Sequence, residues 1–142
     1  MGISSIYIMD QKGRVLITRA YKADVPYSAN EIFQDMMLAM DEMKTKPILI
    51  DEEKQIVFMH LRYQNLIFLM TATRDINTVM AFDFLYKFID VLKHYFENVE
   101  EESIRDNFVI IYELLDEMMD NGVPQITDVR KIIELIFSLL KN

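Results

Sequence analysis

Gln55-Ile56-Val57-Phe58-Met59-His60-Leu61 and Leu66-Ile67-Phe68-Leu69-Met70-Thr71-Ala72 are two β-rich runs joined by the polar turn Arg62-Tyr63-Gln64-Asn65. Side chains alternate between the two faces of a strand. From Ile56 to Met59 and from Leu66 to Met70 both alternating sets are apolar, so neither face of these strands can lie in water. The short loop makes the pair antiparallel. Helices must therefore cover both sides of the sheet that contains them.

Two further strands precede this pair. Ile6-Tyr7-Ile8-Met9 and Arg14-Val15-Leu16-Ile17-Thr18 flank Asp10-Gln11-Lys12-Gly13 and read as a β-hairpin. Ile48 to Ile50 adds a fifth strand ahead of the turn Asp51-Glu52-Glu53-Lys54. Between them Ser28-Ala29-Asn30-Glu31 has the spacing of a capping box. It predicts a helix with Ile32, Phe33, Met36, Met37, Met40 and Met43 on one face, stopped by Lys44, Lys46 and Pro47. After the fifth strand a second helix, opened by Asn77 or Asp75, carries two apolar stripes. One is Phe82, Leu85, Ile89, Leu92 and Phe96; the other is Phe84, Phe88, Val91 and Tyr95. A third helix begins near Glu100-Glu101-Glu102, acidic residues suited to the positive end of a helix, with Ser103 to Asp106 as a further capping signal. It shows Ile104, Phe108, Ile111, Leu115 and Met118 at helical spacing and stops at Asn121-Gly122 before Pro124. A last helix, capped by Thr127 or Asp128, carries Val129, Ile132, Ile133, Ile136, Phe137, Leu139 and Leu140. The predicted class is α/β, of α+β type, in the order β-β-α-β-β-β-α-α with an added C-terminal helix.

At 142 residues the chain has the length of one domain, which buries about two-thirds of its unfolded surface. A content of 51% hydrophobic and 27% charged residues excludes a disordered chain. The net charge of -8 disfavours direct binding to nucleic acid or acidic lipid. No cysteine is present, which excludes disulfides, thiolate metal sites and a cysteine nucleophile and fits a reducing compartment. The N-terminal residues read as a strand instead of a signal peptide. Gly2 does not open a myristoylation pattern, because Ile6 stands where Ser or Thr is needed. The apolar runs fall short of the roughly 18 residues that span a bilayer.

The signs of catalysis are missing. Gly2, Gly13 and Gly122 are too scattered for a phosphate loop. His60 on a strand and His94 on a helix lack a partner at ligand spacing, and read as one structural and one surface histidine. Asp116, Glu117 and Asp120 faintly resemble a calcium loop, but Met118 and Met119 break the alternation of oxygen ligands, and a solvated helix face is the better account. No cofactor, metal or small-molecule substrate is expected. Met36, Met37, Met40 and Met43 crowd the first helix; methionine surfaces adapt to partners, although core filling is the expected role of most.

The quantity of apolar helix surface exceeds what three helices over a five-stranded sheet should require. The second stripe and the last helix, namely Phe84, Phe88, Val91, Tyr95, Ile132, Ile136, Leu139 and Leu140, are the candidate partner-docking residues.

The run Glu100-Glu101-Glu102-Ser103-Ile104-Arg105-Asp106-Asn107-Phe108-Val109-Ile110-Ile111-Tyr112-Glu113-Leu114-Leu115-Asp116-Glu117 resembles the medium (mu) chains of clathrin adaptor complexes. The likeness extends through Ile6 to Asp10, Lys12 to Ile17 and Phe84-Leu85-Tyr86-Lys87, and covers Met1 to about Asp128. It implies a longin-like domain, with a five-stranded antiparallel sheet bearing one helix on one face and two on the other. The division expected is residues 1–122 for that domain and 123–142 for a link and C-terminal helix. The family's β-rich cargo-binding domain is not part of the sequence, so no cargo pocket is assigned. The resemblance also implies no enzymatic activity. The implied partners are a β-type large chain, a small (sigma) chain and a second large chain, with membrane contact only through the complex. Ser103 to Asn107, Pro124-Gln125 and Thr127-Asp128 look more like the trans-Golgi and endosomal adaptor, complex one, than the plasma-membrane adaptor, complex two. The implied location is cytoplasmic, peripheral on those membranes and on clathrin-coated vesicles.

Lys131 to Leu140 is more apolar than the family's link between domains, and three fates are open to it: docking on the large chain, folding back, or self-association. An alternative from another class is a stand-alone longin regulatory domain of a vesicle-fusion protein, which docks a short helix and needs no large chain. A small-molecule sensor or enzyme of similar fold is a third reading.

Overall fold

The computed structural model describes residues 2–40, 46–125 and 129–140, the last segment without the side chains of Val129, Ile136, Leu139 and Leu140. β1 (Ser5–Asp10) and β2 (Val15–Ala20) form the first hairpin. Its turn is tied by the Asp10 carboxylate, which accepts from the backbone N–H groups of Lys12 and Arg14, both at 2.9 Å, and from Arg14 Nε at 2.7 Å. Burial alone would raise the Asp10 pKa; the Arg14 and Lys12 hydrogen bonds and the Arg14 charge outweigh it and hold the carboxyl below its ordinary value. Gly13 closes the turn at φ 83°, where a side chain would be strained and would also run into Gln34.

α1 (Ala29–Ala39) follows, then β3 (Ile48–Asp51), β4 (Ile56–Tyr63) and β5 (Leu66–Ala72). The sheet order is β2-β1-β5-β4-β3 with every pair antiparallel. β2 and β3 therefore point the same way at opposite edges, and the connection through α1 crosses the sheet. β1 and β5 are buried along their whole length. The strict alternation sorts their side chains. Ile6, Ile8, Val57, Met59, Leu66, Phe68 and Met70 enter one core cluster. Tyr7, Met9, Ile56, Phe58, Ile67 and Leu69 enter the other, against Ala29 and Phe33 of α1. The two-sided burial expected of β4 and β5 is thus present, with α1 on one face and the remaining helices on the other.

α2 (Thr78–Tyr95) is capped by Asn77, whose side-chain oxygen accepts from the Met80 N–H at 3.1 Å. Phe88 lies edge-on to Phe68 of β5 at 6.3 Å and parallel to Phe84 at 5.9 Å. Several local expectations differ from what forms. Ser28 stands at the start of α1 but makes no side-chain cap, and its carbonyl takes the Glu31 N–H at 2.9 Å instead. α1 ends at Ala39, which leaves Met40 beyond the helix and 37% exposed; Met43 and Lys44 lie outside the described residues. The third helix is two, α3 (Glu101–Asp106) and α4 (Phe108–Met118), broken at Asn107. The Asn107 side chain donates back to the Ser103 carbonyl at 2.9 Å, an alternative to the helical ladder. Ser103 is inside α3, and its hydroxyl donates to the Asn98 carbonyl at 2.6 Å.

Asn121 and Gly122 do more than stop a helix. Both have positive φ, 49° and 86°, and join β6 (Met119–Asp120) to β7 (Val123–Pro124) in a two-residue hairpin. The Gly122 carbonyl accepts from Ile3 N at 2.7 Å, and a Cβ on Gly122 would strike the Ile3 backbone. The sequence division at residue 122 falls inside this turn. α5 (Val129–Leu140) then packs onto α2 and α4. Among the described residues no helix is long and apolar enough to cross a membrane, and no group of acidic and histidine residues could hold a metal ion.

Candidate docking surface

The eight candidate docking residues are not one exposed face. Phe84, Phe88 and Val91 are 2%, 0% and 0% exposed, and Ile132 of α5 is 3% exposed. These four are a correction: they belong to this chain's own core. Sequence periodicity showed that α2 has two apolar stripes and therefore needs a second neighbour, and α5 helps to supply it from within. Tyr95 is half-buried, edge-on to Phe96 at 4.7 Å, and Val91, His94, Tyr95, Ile133 and Phe137 meet where α5 lies along α2. Of the three fates open to the last helix, the structure has it folded back. The side chains of Ile136, Leu139 and Leu140 lie outside those described.

Some apolar surface stays exposed on the last two helices, at Phe108, Val109 and Phe137, and another group lies together at an edge of the sheet. Val79 and Tyr86 of α2 are 78% and 56% exposed, and beside them Ile48 and Ile50 of the edge strand β3 are 36% and 37% exposed. Ile48 sits opposite Met59 and Ile50 opposite Val57, so both point to the α2 side of the sheet. Ile48, Val79 and Tyr86, with Pro47, Thr78, Phe82 and Asp83, border an open cleft of about 550 Å³. The surface is apolar, shallow and on the rim of the sheet, which suits a protein partner and supplies no convergent reactive groups. Val79, Phe82 and Tyr86 are spaced at i, i+3 and i+7, a third line on α2. That spacing is present in the sequence, beside two longer apolar stripes.

At the opposite edge, side chains of α4 meet β2. Arg19 of β2 pairs with Asp116 of α4 at 2.7 Å and lies 5.7 Å from the centre of the Tyr112 ring, whose hydroxyl donates to the Thr18 carbonyl at 3.0 Å. Asp116 is thus an ion-pair partner on a solvated helix face. His60 donates through Nε2 to the Lys46 carbonyl at 2.7 Å and lies edge-on to Phe33 at 5.1 Å. His94 is exposed, with Nδ1 donating to the Asp90 carbonyl at 2.8 Å.

The model of the family described as "Clathrin adaptor complex small chain" matches residues 2–141. This chain belongs to that family. Its relatives bear out the resemblance to mu chains of the complex-one type. It is 46% identical over 136 residues to the AP-1 complex subunit mu of Dictyostelium discoideum, covering 96% of this chain and 31% of that protein. It is 43% identical to the human AP-1 complex subunit mu-2, over 96% and 32%, and 39% identical to the Arabidopsis thaliana AP-1 complex subunit mu-1, over 94% and 31%. The chain therefore spans about a third of the length of these relatives. Among structures, a chain in a homology model of the full-length AP-3 complex in a stretched open conformation superposes with a TM-score of 0.72 at 16% identity, covering 98% of this chain and 94% of that one. A chain in an intermediate open conformation of the same complex gives 0.62 at 18% identity, over 90% and 32%. At these identities the likeness is one of fold. In the adaptor family that fold is longin-like, and it occurs both as nearly a whole chain and as a third of a longer one.

Proposed function

We propose that this domain is a non-enzymatic assembly module of a clathrin adaptor medium chain, held by a β-type large chain with a small (sigma) chain and a second large chain in the same complex. The observation that carries the reading is the exposed apolar strip of Ile48, Ile50, Val79 and Tyr86 on a member of this family. Side chains that are apolar and exposed in the isolated chain are the ones whose burial a partner can add. The AP-1 names of its relatives support a place in the trans-Golgi and endosomal adaptor, hence a cytoplasmic, membrane-peripheral location in vesicle-mediated protein transport. Residues 1–122 with the following hairpin and helix act as one unit in this reading, and cargo recognition belongs to a different domain.

Co-expression with a β-type large-chain trunk tests it. The wild-type chain is expected to co-purify. A Val79→Asp and Tyr86→Asp double variant is expected to keep its fold, because both sites are exposed, and to lose the complex. Failure of the wild type to associate, or undiminished association of the variant, overturns the reading. A stand-alone longin regulatory domain is the second reading, favoured by one observation: α5 already occupies the α2–α4 surface as a docked short helix. Absence of any large-chain association would select it.

A further inference from the structure

Among the described residues α1 is the one helix on its face of the sheet, and it leaves a cleft of about 210 Å³ at the end where the β1–β2 turn, the end of β4 and the start of β5 meet. One cross-strand row builds the floor and one wall: Met9 is opposite Ile67, and Ile67 is opposite Arg62. Met9, Ile67 and Phe33 are buried beneath it, at 0%, 7% and 1% exposure. Met37 and Leu38 of α1 form the apolar lip, with Leu38 86% exposed. Gln34 donates to the Gly13 carbonyl, which ties α1 to the turn, and Gln11 donates to Asn65 Oδ1.

Two cations stand at this cleft, Lys12 from the turn and Arg62 from β4, both exposed. Neither makes an ion pair among the described residues, whereas Arg14, Arg19, Lys22, Arg74, Lys87 and Arg105 are each paired with a carboxylate. The chain carries a net charge of -8, so two cations with no ion-pair partner among the described residues, beside one apolar cleft, run against its overall field. Cavities of about 150 Å³ accept a benzene-sized group; this one accommodates a single large aliphatic or aromatic side chain.

We propose that the α1 cleft binds a short extended peptide of a partner protein, seating one large apolar side chain on Met9 and Ile67 while a neighbouring carboxylate is held between Lys12 and Arg62. The adaptable thioethers of Met9 and Met37 suit a site that takes more than one apolar side chain. The protein's net negative charge opposes an anionic bilayer as the occupant. The cleft is on the sheet face opposite the Val79 and Tyr86 strip.

The test is titration of the isotope-labelled chain, followed by amide NMR shifts, with a blocked peptide Gly-Ser-Glu-Gly-Phe-Ser-Gly, its Glu-to-Gln and Phe-to-Gly versions, and separately with phosphatidylcholine–phosphatidylserine vesicles. The expected result is saturable shifts confined to residues 9–13, 33–38 and 62–67. Affinity should fall roughly tenfold for each altered peptide and for the Lys12→Glu and Arg62→Glu double variant. That variant should bind a Glu-to-Lys peptide instead, which shows that it is folded and that charge complementarity is the cause. Shifts outside the cleft, equal binding of the Gln peptide, or no saturable peptide binding overturns the proposal. So does vesicle binding lost in the double variant without peptide binding, which would assign the cations to a membrane.

Discussion

His60 projects from β4 onto the ring of Phe33, on the face of the sheet that α1 covers. Burial pushes its imidazole pKa below the ordinary value; the hydrogen bond to the Lys46 carbonyl opposes that shift and the Arg62 charge reinforces it. The folded state therefore holds a neutral ring while the unfolded chain titrates near 6.5. Stability from this group is complete above the unfolded value and is lost as the pH falls from there toward the lower folded value, because only the unfolded chain takes up the proton. Urea midpoints between pH 7.5 and 5.5, values chosen to flank the imidazole range, should fall for the wild type and stay flatter for His60→Gln. Identical profiles would show that His60 is not the titrating group. Its lack of a ligand partner was legible in sequence, a property it shares with His94. Its packing partner was not, because Phe33 approaches from another element.

Elements were legible where the pattern was long and wrong in detail where one side chain had two ways to bond. β5 runs over the expected residues, and Asn77 is the cap of α2. Ser28 and Ser103 had the right spacing for caps, yet the first makes no cap bond and the second sits inside α3. Asn121-Gly122 after a helical period reads as a helix end, although the pair is also a strong two-residue hairpin signal; the adjoining strands are only two residues each, too short to show a period. Among the described side chains of α5, Ile132 and Ile133 join the core shared with α2 and α4. Burying one such side chain contributes about 1.5–3 kcal/mol. Ile132→Asp is therefore expected to release α5: hydrogen exchange should show its amides unprotected while those of β1 and β5 stay slow. Uniform loss of protection across the sheet would mean instead that α5 and the rest unfold as one unit.

At the scale of the whole molecule the two faces are unequal. One carries α2, α4 and α5 over the larger core, and the other carries α1 alone over a smaller one that opens at the Lys12 and Arg62 cleft. Phe88, fully buried between Phe68 and Phe84, is near the centre of the larger core. Phe88→Ala should cost about 3–5 kcal/mol, a large part of the roughly 5–15 kcal/mol that such a domain has in total. Phe88→Asp should leave no cooperative thermal transition in near-ultraviolet circular dichroism; retention of a native transition would place Phe88 outside the folding core. The strand pair at Ile56 to Ala72, the helices and the need for cover on both faces were determined by the sequence alone, because alternation and helical period are properties of residues close together in the chain. Which apolar side chains are left for a partner was decided only by the tertiary structure. Exposure depends on what distant segments bring: α5 covers Val91, no described segment covers Val79, and Lys12, Phe33 and Arg62 become neighbours only when the sheet has closed.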